Sequence, residues 1–278
     1  MPDRDLDITK FSYFAYRKLK KTLGEFDAVV ECNEIAIREF LEQAEKEDAQ
    51  KYIQQLSAKH HVRVDEVDFF KFTNRIRQYY VSSAFQQAEQ FLKDFKKEWK
   101  EYHPEIEWDD LSKGETGFQN IVRNLKLPLD SDIVEVYEYY RLIRNYMSHT
   151  DRDVEELKLR FKKITLNKNN FLKKLNLGVT PNPYEEVNFD DFLILTNIIK
   201  HIAYLLSVSS KPNNDKIAQI LFEKSREDKN KAYKGLKKLK NNEIRYEKAI
   251  KSFIKSIFGR FSVADEKEVV DRLKSLLA

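Results

Sequence analysis

Residues that interrupt helices are scarce in this sequence. Glycine and proline each occur six times among 278 residues, and both disfavour helix interiors. The remaining residues are rich in Lys, Glu, Leu and Ile, a mixture typical of helical proteins. The 19 phenylalanines and 14 tyrosines supply large areas for burial and argue against disorder. The sequence therefore predicts an all-α protein that contains one large domain or two moderate ones.

Apolar periodicity indicates where the helices lie. Between Tyr80 and Phe95 the apolar residues step by four, four, three and four positions, which makes one continuous helical face. We expect helices over 8–23, 25–58, 65–102, 118–127, 131–147 and 190–209, with Gly24 as the C-cap of the first. Further helices are predicted over 151–161, over 216–258 as a hairpin broken near Asn241 and Asn242, and over 262–277 with Ser262 as its cap. Residues 165–186 are the best candidate linker.

The cysteine content and the apolar stretches indicate whether the protein is expected in the cytoplasm or in a membrane. Cys32 is the single cysteine, so an internal disulfide and a cysteine-based zinc cluster are excluded. The first seven residues are acidic and polar, unlike a signal peptide. The longest apolar stretch, 189–208, is interrupted by charged residues, which favours a buried helix over a membrane span. We therefore expect a cytoplasmic protein that is not associated with a membrane.

The net charge of +4 is unevenly distributed. Residues 216–260 contain fourteen Lys and Arg against five Asp and Glu, a local charge of +9. Such a segment can attract the phosphates of RNA, and the candidate RNA-binding residues are Lys229, Lys234, Lys237 and Lys238. The alternative is that this charge covers the solvated face of a lysine-rich helical hairpin.

The stretch LIRNYMSHTDRD, residues 142–153, combines an apolar helical pattern with three chemically active residues. His149 is one of five histidines, and histidine can exchange protons near neutral pH. Arg144 offers a planar, permanently charged fork that suits a phosphate. Asn145 could orient the histidine or the phosphate. These groups could cleave a phosphodiester without a metal: the histidine would deprotonate a ribose 2′-hydroxyl or protonate the leaving oxygen, while the arginine stabilises the phosphorus centre.

The spacing of these residues restricts their geometry. Five positions at about 100° each place Arg144 and His149 roughly 140° apart on an ideal helix. The two side chains converge if the helix ends between them, or if a second copy of the chain completes the groove. The capping residues that follow, Ser148 to Asp151, fit the first arrangement.

The segment Arg144-Asn145-Tyr146-Met147-Ser148-His149 resembles the R-x4-6-H motif of the HEPN superfamily, in which a polar residue, often Asn, follows the arginine. The surroundings are also similar, with a long helix containing small residues before the motif helix and an apolar helix after it. The resemblance covers about 65–210. It implies an all-α, antiparallel helical bundle that forms a homodimer with both motifs facing one cleft. It also implies metal-independent endoribonuclease activity of the kind found in toxin–antitoxin, abortive-infection and CRISPR systems.

By this resemblance Arg144, Asn145 and His149 are the catalytic candidates. The predicted organisation is an N-terminal helical extension over 1–64, a HEPN-like core over 65–210 and a basic helical region over 211–278. The leading hypothesis is a metal-independent endoribonuclease without a cofactor, acting as a bacterial toxin or phage-defence effector, with RNA and a possible antitoxin or regulatory protein as partners. The alternative is a non-catalytic HEPN-like module that binds nucleotides or RNA, or serves as a scaffold.

Other residues are weaker candidates. His60 and His61 have no third ligand at a spacing typical of zinc sites, and His201 in its apolar helix is best interpreted as a core histidine. Glu135 and Glu138 precede the motif by a few turns and could lie near it, but a glutamate on a helix is usually solvated. Three tyrosines on the motif helix could stack on bases or belong to the core: Tyr137, Tyr139 and Tyr140. Motifs typical of kinases, dehydrogenases, serine hydrolases and zinc proteases are missing from the sequence.

Overall fold

A computed structural model describes residues 11–127, 129–148, 154–166, 178–227 and 232–278. Within these ranges the protein is all-α, as predicted, and has no β-strand. The helices are α1 (Phe14–Lys46), α2 (Ala49–His60), α3 (Phe69–Tyr102), α4 (Gly117–Asn124), α5 (Ser131–Ser148), α6 (Glu155–Leu166), α7 (Phe189–Ser209), α8 (Asn214–Arg226), α9 (Ala232–Leu239), α10 (Glu243–Phe258) and α11 (Val263–Leu277). A 3-10 turn, Tyr184–Glu186, precedes α7.

The helices form two compact units, each built from separate stretches of the chain. Unit 1 comprises residues 1–18, 90–128 and 201–278, and unit 2 comprises residues 19–89 and 129–200. Helices α1, α3 and α7 therefore contribute residues to both units. The three-part organisation into 1–64, 65–210 and 211–278 stays a prediction.

Unit 1 has an aromatic core. The Tyr13 ring meets Phe95 edge-on and stacks on Tyr102, with ring centroids 5.0 and 5.6 Å apart. The carboxylate of Glu98 accepts hydrogen bonds from the first two backbone N–H groups of α1, both at 2.8 Å. Donors at a helix start have no partner within the helix, so this carboxylate satisfies them and complements the helix dipole. Ser262 caps α11, as predicted.

Unit 2 contains α5, the helix that carries the motif. Asp130 caps this helix, because its side chain accepts the N–H of Asp132 at 2.9 Å. Ile133, Val136 and Ile143 are buried along the helix. Helix α6 packs against α5, and Arg160 of α6 donates to Glu135 of α5 at 2.8 Å. The motif helix is thus buried along much of its length.

Several predicted boundaries differ from the observed ones. The helix expected over 25–58 is divided after Lys46, because Asp48 caps a new helix, α2. Gly24 does not end a helix, since α1 runs from Phe14 to Lys46 through it. The third helix begins at Phe69 and not at 65, because Asp68 accepts the N–H of Lys71 at the helix start. The basic region contains the predicted break at 240–242, but its described residues form three helices, α8 to α10, where two were expected.

Helix α7 is long and apolar enough to cross a membrane by length and composition alone. In the folded protein more than half of its most apolar window is buried. Asp191 near its start and Ser207 near its end are both fully buried. These features match the prediction of a core helix.

Candidate active site

Two adjacent tyrosines attach α5 to the first turn of α7 and to the segment before it. The Tyr140 hydroxyl donates to Asp191 Oδ1 at 2.9 Å, and the Tyr139 hydroxyl donates to the carbonyl of Asn182 at 2.6 Å. Asp191 also accepts both the backbone and side-chain N–H of Asn182, and the backbone N–H of Asn188. Burial raises the pKa of Asp191 despite these donors. The contacts fix the rotation of α5 and therefore the direction in which its motif residues point.

Arg144 lies four residues before Ser148, the last residue of α5, and its guanidinium group is held on two sides. Its Nη1 donates to Asn145 Oδ1 at 3.0 Å, and its Nη2 donates to Glu89 Oε2 of α3 at 2.8 Å. About a quarter (26%) of the side chain is exposed. The guanidinium group is thus oriented and still reaches solvent, as anion binding would require.

Asn145 and Ser148 complete the described part of the motif. Asn145 is buried, and its side-chain oxygen orients Arg144. The predicted role of Asn145 as a helper of the catalytic residues stays a prediction. Ser148 is exposed and donates its hydroxyl to the carbonyl of Arg144 at 3.0 Å, the i−4 contact that serine side chains make within helices.

His149 lies outside the described residues. The described motif helix ends at Ser148, immediately before it. The convergence of His149 with Arg144 stays a prediction.

A second ion pair precedes the motif by one turn. Arg141 Nε donates to Glu138 Oε2 at 2.6 Å, and Glu138 is only 2% exposed. The other oxygen of this carboxylate, Oε1, is buried without a hydrogen-bond partner among the described residues. Glu138 is therefore not on a solvated face, so of the two interpretations the solvated one is wrong.

Sequence reasoning missed Glu89 and Arg141 as members of this cluster. Glu89 is 55 residues from Arg144 along the chain, and no local motif connects them. Arg141 carried a signal, since it precedes Arg144 by three positions and such residues are neighbours on a helix surface.

The remaining candidates lie apart from the cluster. Tyr137, Tyr139 and Tyr140 are buried, so the core interpretation is confirmed and base stacking is not available to them. His60 and His61 are exposed, and no group of three or more potential metal-ligating side chains occurs in the described ranges. His201 is half-buried and has an interaction partner.

The basic region presents lysines to solvent. Lys234, Lys237 and Lys238 of α9 are all exposed, whereas Lys229 lies outside the described residues. On α10, Arg245, Lys248 and Lys255 are also exposed, while Tyr246 and Ile250 are buried on the opposite face. The positive charge therefore extends along the outer faces of two consecutive helices.

Comparisons with family models, with curated proteins and with solved structures gave no match to this chain.

Proposed function

We propose that the protein is a metal-independent endoribonuclease of the HEPN type, in which Arg144 and His149 are catalytic and Asn145 orients Arg144. The observation that carries the proposal is the Arg144 guanidinium, which is oriented by Asn145 and Glu89 at the end of the helix that leads into His149. A fixed cation positioned before the reaction stabilises developing negative charge more effectively than a mobile one.

In the proposed reaction, the nucleophile is the ribose 2′-hydroxyl next to the scissile phosphate. His149 accepts the proton of the 2′-hydroxyl as the 2′-oxygen bonds to phosphorus, and the bond from phosphorus to the 5′-oxygen breaks. The leaving 5′-oxygen takes up a proton, from the second histidine if two copies share a cleft. Arg144 binds the phosphate oxygens while their negative charge increases. The products are a 2′,3′-cyclic phosphate and a 5′-hydroxyl.

The decisive experiment incubates the purified protein with RNA in EDTA and identifies the new ends. His149→Ala should slow cleavage by about 10²–10⁴-fold, and Arg144→Ala by about 10²–10³-fold. Arg160→Ala is the matched control, because Arg160 forms an equally short ion pair (2.8 Å) and has similar exposure (20%). DNA and RNA with a 2′-O-methyl group at the cut site should resist. Cleavage that leaves 5′-phosphates, or full activity of His149→Ala, would refute the mechanism.

The same proposal includes a homodimer and an RNA-binding role for the basic region. Two copies would supply two arginines and two histidines to one cleft. A protein that light scattering shows to be a monomer, and that is still fully active, would contradict this. Replacing Lys229, Lys234, Lys237 and Lys238 by glutamine should weaken RNA binding and flatten its salt dependence. An unchanged slope would assign these lysines to solvent or to a protein partner, such as an antitoxin.

The second candidate is a non-catalytic module that binds nucleotides or RNA. The Arg144–Glu89 pair favours it, because a carboxylate occupies one edge of the guanidinium group. If RNA or nucleotides bind and raise the melting temperature but no RNA is cut, this candidate replaces the endoribonuclease.

A further inference from the structure

One face of α5 carries a polar stripe, which we define as Arg141, Arg144, Asn145 and Ser148. Their spacing of three, one and three positions spans about 100° of the helix circumference. Two of the four are arginines, separated along the helix axis by about 4.5 Å. The motif therefore begins one turn earlier than the R-x4-6-H pattern suggests, with a second cation beside the first.

The Nε atom of Arg141 is held in an ion pair, whereas its two Nη atoms are available to a ligand. Its Nε donates to Glu138, and this carboxylate is almost completely buried. A buried carboxylate needs a compensating charge, so Arg141 is held beside it. In the part of the chain that the structure describes, neither Nη of Arg141 has a hydrogen-bond partner, and the side chain is 23% exposed. Four N–H donors thus remain available to a ligand.

We propose that Arg141 binds the phosphate adjacent to the one bound by Arg144, so that the site selects single-stranded RNA with consecutive phosphates over a mononucleotide. The inference rests on the proposed function, whose scissile phosphate lies at Arg144. A guanidinium group binds phosphate through paired N–H donors, and Arg141 loses little freedom on binding because Glu138 already orients it.

The competing interpretation is that Arg141 only neutralises Glu138. The double variant Glu138→Gln/Arg141→Gln separates the two, because it removes both charges and leaves no uncompensated buried carboxylate. The control is Glu135→Gln/Arg160→Gln, which removes another ion pair of the same unit, one that joins α5 to α6. Circular dichroism verifies folding.

The probe is a 2′-O-methyl oligouridylate, which the proposed reaction cannot cut, and its binding is measured by fluorescence anisotropy between about 50 and 200 mM salt. Loss of one phosphate contact should weaken binding and reduce the slope of log K against log salt by about 0.7. The control should retain the wild-type affinity and slope. Binding of uridine 5′-monophosphate, followed by NMR, should be the same in the double variant and the wild type.

Two outcomes would overturn the inference. The first is a wild-type slope and affinity in the double variant. The second is an equal loss for the oligonucleotide and the mononucleotide, which would mean that Arg141 acts only through Arg144. If the double variant does not fold, Arg141→Lys serves instead: it retains the charge beside Glu138, so the salt slope should persist, but affinity should fall because lysine lacks the fork. Wild-type affinity of Arg141→Lys would count against the proposal.

These results are independent of catalysis. A reduced slope in a protein that never cuts RNA supports the phosphate contact and rejects the endoribonuclease. Cleavage together with an unchanged slope rejects the phosphate contact alone.

Discussion

Replacing Tyr140 by phenylalanine tests how the motif helix is held in place. The change removes one hydroxyl from a fully buried ring, so that Asp191 Oδ1 loses a donor at 2.9 Å. A hydrogen bond to a charged group contributes about 1.5–3 kcal/mol. Since Asp191 keeps three donors from Asn182 and Asn188, we expect the free energy of unfolding to fall by about 2 kcal/mol, within the range for one such bond.

Tyr139→Phe is the matched control on the same helix. Tyr139 is as buried as Tyr140, but its hydroxyl donates to the neutral carbonyl of Asn182. A hydrogen bond between neutral groups contributes about 0.5–1.5 kcal/mol, so this variant should lose about half as much stability. The difference between the two variants isolates the charge of Asp191.

The effect of pH follows from the raised pKa of Asp191. Because the folded pKa lies above the ordinary value of 3.8, the contribution of Asp191 to stability is largest below 3.8 and is lost as pH rises through the folded pKa. The Tyr140 hydroxyl lowers that pKa, so Tyr140→Phe raises it further and costs most where Asp191 is ionised. In acid, Asp191 is protonated in both the wild type and Tyr140→Phe. The loss of unfolding free energy caused by Tyr140→Phe should then approach the loss caused by Tyr139→Phe.

Urea denaturation followed by far-ultraviolet circular dichroism measures these differences at neutral pH and again in mild acid. In thermal unfolding at neutral pH, the melting temperature of Tyr140→Phe should be about 4–8 °C below that of the wild type. Equal losses for the two tyrosine variants, or a difference that does not change with pH, would refute the role assigned to Asp191.

Three further changes test separate features. Glu89→Gln should tighten binding of the 2′-O-methyl probe severalfold by removing a negative charge beside Arg144, and should alter stability by less than about 1 kcal/mol; weaker binding in anisotropy would contradict this. Gly259→Ala should destabilise the protein by about 1–3 kcal/mol in thermal unfolding, because φ is +81° and the new Cβ would lie 2.8 Å from Ser12 Oγ; an unchanged melting temperature would disprove it. The hydrogen bond from Arg123 lowers the pKa of Glu115 from 4.5 to about 2, so this carboxylate stabilises the fold above pH 4.5 and the benefit is lost as pH falls towards 2. Glu115→Gln should therefore flatten the acid dependence of stability over that window, and an unaltered acid profile would exclude the pair as its source.

Local sequence patterns predicted most of the helices. The buried residues of a helix recur at helical spacing, and this spacing is visible in the sequence as apolar periodicity. The face from Tyr80 to Phe95 is buried at all five predicted positions. Gly24 was wrongly predicted to be a C-cap. It is an exposed residue inside α1, where a glycine destabilises the helix by only about 1 kcal/mol relative to alanine. The apolar positions on either side continue at seven-residue spacing through Leu23, Val30 and Ile37, all buried. Their packing outweighs the local preference to end the helix.

The candidate site was only partly visible in the sequence. Arg144 and Asn145 could be selected because their chemistry and spacing are local. The carboxylates that orient the arginines could not: Glu89 reaches Arg144 only through the packing of α3 against α5, and the burial of Glu138 depends on tertiary contacts. Long-range pairs of this kind leave no periodic signal, so a single sequence does not reveal them.

The order in which the two units can form during translation follows from their composition. All of unit 2, including the motif helix, lies before residue 201, whereas unit 1 needs residues 201–278 as its third stretch. Ribosomes add about 5–20 residues per second, so residues 201–278 take about 4–16 s to appear at that rate. The unit that bears Arg144 can therefore fold on the nascent chain before the basic helices exist.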